Sequence, residues 1–178
     1  MYSGENIESL NKLLEVLPQC EGEDYYKLAK HLSIPVEDLK PYAFWSDETY
    51  TRNCVVRTDK YELLLLCWQE GQETPIHCHN GEECWVYLAK GQLREKRYVE
   101  KQGDLKLTAD VKMTQDRLSY MNDELGYHSL HNLNKGTSLS LHLYVGPIDE
   151  CSVYKEEKDK FVFKDLDYYS KNKKIVSN

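Results

Sequence analysis

"IHCHNGEECWVYLAKG", residues 76 to 91, sets His77 and His79 two positions apart, Cys84 five residues beyond them and Gly91 at the end. On extended backbone, residues two apart share a face, so both imidazoles point the same way. Glu83 and Cys84 are neighbours and on a strand face oppositely, so at most one of them joins the histidines. Gly71, six residues before His77, extends the pattern to G-x5-H-x-H-x4-C-x6-G.

Register along "CWVYLAKG" bears on that choice. Cys84, Val86 and Leu88 fall on one face and Glu83, Trp85 and Tyr87 on the other. Two aliphatic neighbours favour an inward Cys84. Two readings of its role stand side by side, a small core residue and a group facing the histidines.

A third ligand has to come from a distant strand. "GYHSLHN", residues 126 to 132, offers His128 and His131, which on a strand face oppositely, so only one of them can join the pair. "SLSLHLY", residues 138 to 144, places Ser138, Ser140, His142 and Tyr144 on one face and three leucines on the other. Such alternation describes an edge strand with its polar side in water. It equally describes a barrel strand whose polar side lines an internal cavity, where Ser140, His142 and Tyr144 form a relay.

Around these segments the texture is that of short strands separated by Gly, Asn and Asp: "YTRNCVVR", "YELLLLCW", "QLREKRYV", "LKLT" and "RLSYM". With no helical pattern between them, a sandwich or barrel of antiparallel strands is expected. "CSVYKEEKDKFVFKDL" reads as a further hairpin, and "SKNKK" as a solvated tail. Ahead of the strands, Ile7, Leu10, Leu13, Leu14 and Leu17 repeat at helical spacing, with Asn6 as a cap and Pro18 as a stop. A second helix begins at Asp24 and a short turn follows Pro35. The expected organisation is one domain over 1–178, with helices in 1–45 and a β-barrel plus C-terminal hairpin in 46–178.

Composition narrows the function classes. A length of 178 residues suits one core, and a formal charge of −7 argues against a nucleic-acid surface. No run approaches the roughly 20 apolar residues of a membrane helix, and the N-terminus lacks the pattern of a secretory signal. A cytoplasmic protein with six reduced cysteines is the expectation.

The G-x5-H-x-H spacing resembles the first motif of the cupins, small jelly-roll β-barrels that hold a metal inside, with Cys84 in the slot where a glutamate ligand is usual. The H-x3-N spacing from His128 to Asn132 resembles their second motif. The larger block, from "YTRN" through "LLLLCWQEG" and "GYHSLHN" to "SLHLY" and "DEC", resembles the thiol dioxygenases, and within them the branch acting on cysteine. The resemblance implies a mainly β, cupin-type small β-barrel (jelly-roll) preceded by α-helices. It implies Fe(2+) held by His77, His79 and His128, and both atoms of O2 added to the sulfur of L-cysteine to give cysteine sulfinate. It further implies that Arg52 holds the substrate carboxylate with Tyr50 beside it, and that His142 and Tyr144 lie near the thiolate. Cys84 and Tyr144 match two residues joined by a thioether in many members, and a monomer is implied. Trp68 falls at a family tryptophan and reads as packing.

This chain departs from the family where a Ser-Pro-Pro segment with a cis peptide is usual, since Val145-Gly146-Pro147 follows Tyr144 here. His131 stands where an acidic residue is more usual. Chemically, three neutral imidazoles leave iron(II) its full charge, so a thiolate substrate is a coherent fourth partner. Two rival readings remain: a dioxygenase for another small thiol such as 3-mercaptopropionate, and a non-catalytic metal-binding cupin. Arg52 favours an α-amino acid over the first.

Overall fold

The computed structural model describes residues 2–115 and 117–176, so the extreme ends of the expected 1–178 domain lie outside the described residues. Three short helices lead: α1 (Leu10–Val16), α2 (Asp24–Lys30) and α3 (Val36–Leu39). Ser9 rather than Asn6 caps α1, its side chain accepting the Lys12 N–H at 3.1 Å, which satisfies one of the open N–H groups of a first turn. Ile7 therefore lies outside the helix, where it bridges Leu32. Pro18 sits within a 3-10 turn that ends the segment.

Among the described residues twelve strands follow: β1 (Thr51–Arg57), β2 (Tyr61–Trp68), β3 (Glu83–Lys90), β4 (Leu93–Lys101), β5 (Asp104–Met113), β6 (Leu118–Met121), β7 (Tyr127–His131), β8 (Ser138–Val145), β9 (Glu150–Lys155), β10 (Lys160–Asp165), β11 (Ser170–Lys171) and β12 (Lys174–Ile175). The larger sheet has the order β12-β11-β1-β2-β8-β3-β6; a second runs β5-β4-β7, and β9 pairs with β10. Within the larger sheet every pair is antiparallel except β1 with β11. The fold is mainly β with helices ahead of it, as the sequence predicts.

The larger sheet is covered on both faces, which explains why all eight residues of β2 are buried. Leu63, Leu65 and Cys67 join Leu139, Leu141 and Leu143 of β8 against Leu10, Leu13, Leu17 and Leu28 of the helical segment. Leu64, Leu66 and Trp68 point the other way and meet Cys84, Val86, Leu88 and Tyr144 inside the barrel. Each such side chain contributes about 1.5–3 kcal/mol on burial. The leucine face of "SLSLHLY" is thus spent on the helices, and its polar face lines the interior instead of meeting water. Gly91 turns the chain at φ +81°, and a Cβ there would strike Ser138.

Two expectations are corrected. The "SKNKK" segment is not a free solvated tail: β11 pairs in parallel with β1, and Ser170, buried, donates its hydroxyl to Asn53 Oδ1 at 2.7 Å. The basic side chains still face solvent, which is what the composition reported. The segment carrying His77 and His79 is not a regular strand. His77 alone bridges His128 and Val153, and the chain then turns at Asn80 and Gly81, both with positive φ. No peptide bond among the described residues is cis, Gly146-Pro147 included, and all six cysteines are unpaired and buried. No helix among the described residues is long and apolar enough to cross a membrane.

Candidate metal centre

Reciprocal backbone bonds between His77 and His128, 2.9 and 3.0 Å, bring the histidine loop against β7. The loop itself is fastened by Asp123, whose two carboxylate oxygens accept the backbone N–H groups of His79 at 2.8 Å and Gly81 at 2.7 Å. As a result one ring nitrogen from each of His77, His79 and His128 lies within 4.8 Å of the others. His79 and His128 are each 1 % exposed.

Hydrogen bonds select which nitrogens are free. His77 Nδ1 lies 2.9 Å from the Pro75 carbonyl oxygen, and His128 Nδ1 lies 2.8 Å from Glu95 Oε1. Both contacts call for N–H at Nδ1 and leave Nε2 with its lone pair. His79 Nδ1 is buried without a partner. Burial, and after it the neighbouring His128, pushes the His77 imidazole down to about 3 and holds His79 well below the usual histidine range. Three converging imidazoles with an orphaned ring nitrogen among them are a donor set suited to a divalent first-row metal.

Around this cluster the structure gathers the other residues singled out in the sequence. Tyr50, Arg52, His77, His142 and Tyr144 line one small cavity. A wider groove of about 830 Å³ bordered by Ala29, Ile34, Tyr87 and Leu118 holds none of them. Arg52 enters the cavity from β1; its Nη1 donates to the Asp167 carbonyl at 3.3 Å, and its Nη2 is buried without a hydrogen-bond partner. Tyr50 stacks on Trp68 with ring centroids 4.7 Å apart. Trp68 in turn donates its indole N–H to Ser140 Oγ at 2.9 Å, so this tryptophan packs and anchors.

Ser140 Oγ also lies 2.9 Å from His142 Nε2. The bonded chain runs from Trp68 through Ser140 to His142; from there the Tyr144 ring stacks at a centroid distance of 6.3 Å. Cys84 and Tyr144 are direct partners across β3 and β8, and both lie inside the barrel. Burial raises both groups, so each keeps its proton near neutrality. Glu83 faces away and accepts the Tyr120 hydroxyl at 2.7 Å. His131, on the opposite face of β7 from His128, binds Glu73 at 2.6 Å and Ser129 at 2.8 Å.

Two acidic residues escaped sequence reasoning. Glu95 on β4 is 2 % exposed beneath His128. The signal for it was present, because Leu93 and Glu95 share a strand face and Leu93 is core. Glu62 on β2 is fully buried, with Oε2 3.8 Å from Arg52 Nη2 and Oε1 3.5 Å from Arg57 Nη1. An acidic residue inside an apolar run gave only that incongruity as a clue.

The family described as cysteine dioxygenase type I matches residues 12–157. Cysteine dioxygenase type 1 of Danio rerio is 30 % identical over 159 residues, covering 84 % of this chain and 79 % of that protein. The Homo sapiens protein of the same name is 30 % identical over 118 residues, covering 64 % of this chain and 59 % of its own length. Among solved structures, a conserved protein with a double-stranded β-helix domain from Klebsiella pneumoniae superposes with a TM-score of 0.53 at 13 % identity, over 66 % of this chain and 95 % of that one. That likeness concerns the fold alone.

Proposed function

This chain belongs to the cysteine dioxygenase type I family, an oxidoreductase family, and from that premise we propose that it adds both atoms of O2 to the sulfur of L-cysteine, giving cysteine sulfinate, with iron(II) as its metal. The observation that carries the reading is the convergence of three imidazoles beside a cavity that Arg52 lines, its buried Nη2 without a hydrogen-bond partner. Such a site holds a metal on one side and an anion on the other.

His77, His79 and His128 are the residues that would hold the iron, through the ring nitrogens their other contacts leave free. Bound there, iron(II) supplies a centre at which a thiolate and dioxygen meet as neighbours. Arg52 takes the α-carboxylate in a charge-assisted pair, giving Nη2, which lies 3.8 Å from Glu62 Oε2, the hydrogen-bond partner it lacks. Tyr50, fixed by its stack on Trp68, closes the cavity beside that pair. Tyr144 keeps its proton and directs a hydrogen bond to the reacting sulfur, while Ser140 holds His142 at the cavity wall. Cys84, inert as a ligand because its thiol stays protonated, is placed to form a thioether with Tyr144 and restrict the phenol.

The family resemblance supports a monomer, and the acidic charge and unpaired thiols support one domain acting in the cytoplasm without a nucleic-acid partner. Metal analysis combined with oxygen uptake and product mass spectrometry tests the proposal. Iron-loaded protein is expected to consume O2 on addition of cysteine and yield the sulfinate. Tight metal binding without oxygen uptake would point instead to a metal-binding cupin.

A further inference from the structure

The donor set facing the metal position carries no negative charge. It consists of three imidazoles, and Cys84, in the slot a carboxylate ligand would fill, is a buried thiol that burial keeps protonated. One step outward the charge reappears. Glu95 Oε1 lies 2.8 Å from His128 Nδ1, and both of its oxygens accept the Ser119 hydroxyl at 2.9 Å. Arg97 Nη2 adds a bond to Oε2 at 3.0 Å while also reaching Ser119 and the Tyr120 carbonyl.

Strand register creates this contact. Arg97 is the direct partner of His128 across β4 and β7, and Glu95, two residues earlier on the same face, is its diagonal neighbour. Donors from His128, Ser119 and Arg97 thus converge on one carboxylate in the protein interior. His77 has only a backbone carbonyl at its Nδ1, and His79 Nδ1 has no partner. His128 alone of the three is backed by a charge.

We propose that Glu95 is the site's displaced carboxylate, a positioning residue that fixes the His128 tautomer and ring and lends it anionic character, making His128 the strongest donor of the three. The inference rests on the reading that these histidines hold a divalent metal. It goes beyond that reading in placing the missing negative charge behind a ligand instead of on the metal. A carboxylate hydrogen-bonded to a metal-binding imidazole typically accounts for a 10–100-fold difference in metal affinity.

Cobalt(II) titration of the metal-free protein without cysteine or oxygen tests it. Native protein is expected to bind one cobalt; failure to do so sinks the metal-site reading itself, independently of Glu95. Given binding, Glu95→Gln, which keeps the shape and removes the charge, is expected to bind about 10–100-fold more weakly. Unchanged affinity overturns the proposal. In a His128→Ala background the same substitution is expected to cause no further loss; a loss of equal size there would show that Glu95 acts on the fold and would also overturn it. Should Glu95→Gln fail to fold, the native zinc-loaded protein decides. Proton NMR is expected to show a deshielded, exchange-protected imidazole N–H that is absent in His128→Ala, and its absence in native protein counts against the proposal.

Discussion

Cys84 and Tyr144 sit directly opposite each other across the antiparallel pair β3 and β8, both buried inside the barrel. Joining them requires loss of the thiol hydrogen and of one ring hydrogen, with dioxygen as the oxidant. Protein that has turned over cysteine is expected to contain a population lighter by two hydrogen atoms, localised to peptides carrying both residues. Cys84→Ser should abolish that population and lower kcat by about 2- to 10-fold, the equivalent of freeing one side chain at about 0.5–1.5 kcal/mol. Intact-mass and peptide spectrometry check the first outcome, steady-state kinetics the second.

Arg52 Nη2 is buried without a hydrogen-bond partner, 3.8 Å from Glu62 Oε2. Replacing it with glutamine removes the charge while keeping a polar group. Truncating one partner of a buried charged pair costs about 2–5 kcal/mol. Arg52→Gln is therefore expected to lower kcat/KM for cysteine by roughly 30- to 5000-fold, and to narrow the preference for cysteine over 3-mercaptopropionate. Parallel kinetics with the two thiols measure both. A preference left intact would remove Arg52 from substrate recognition.

Ser140 serves two buried groups, accepting from Trp68 and meeting His142. Ser140→Ala leaves both without a partner, and an unsatisfied buried polar group costs about 1–3 kcal/mol. Urea denaturation is expected to show a loss of that order, with Tyr50, stacked on the same tryptophan, loosened as well. Cysteine turnover should fall with it, since His142 loses the contact that orients it.

Acid should destabilise the metal-free chain earlier than carboxylate titration alone would. His77, His79 and His142 are all held below the ordinary histidine range by burial first and by neighbouring His128 second. Between the unfolded value near 6.5 and the folded value of about 3 for His77, the unfolded state binds the proton and the folded state does not. Stability is fully present above that window and drains as pH falls through it, by about 1.4 kcal/mol per pH unit for each such histidine. Denaturant midpoints measured from pH 7 to 4 check the slope, and bound metal should steepen it by adding proton competition for the same nitrogens.

Much of this architecture was legible because period and chemistry agreed. Eight strands are marked by alternation or by short apolar runs, and the histidine spacing singled out the residues that the fold gathers. What could not be read was anything set by a partner distant in sequence. The polar face of β8 looked the same whether its leucines met water-facing neighbours or a helical cap, and only the covering helices decide it. Glu62 and Glu95 were ordinary charged letters until the pairing of β1 with β2 and of β4 with β7 carried them inside. The docking of Ser170 on Asn53 was hidden by the lysines around it, which report solvent exposure of their own heads and nothing about the backbone between them.

The attachment of the chain's last strands to β1 also has a consequence for how the protein comes into being. Arg52 is separated by 115 residues from Asp167, whose carbonyl holds its guanidinium, and the edge of β1 stays open until Ser170 arrives beside Asn53. A ribosome adding about 5–20 residues per second needs roughly 6–23 seconds to cover that distance. Throughout that interval β1 presents an unpaired edge, the condition under which strands add to the wrong neighbour. The anion site is thus among the last features of the molecule to be completed, and a nascent chain has its histidines long before it has a finished place for a carboxylate.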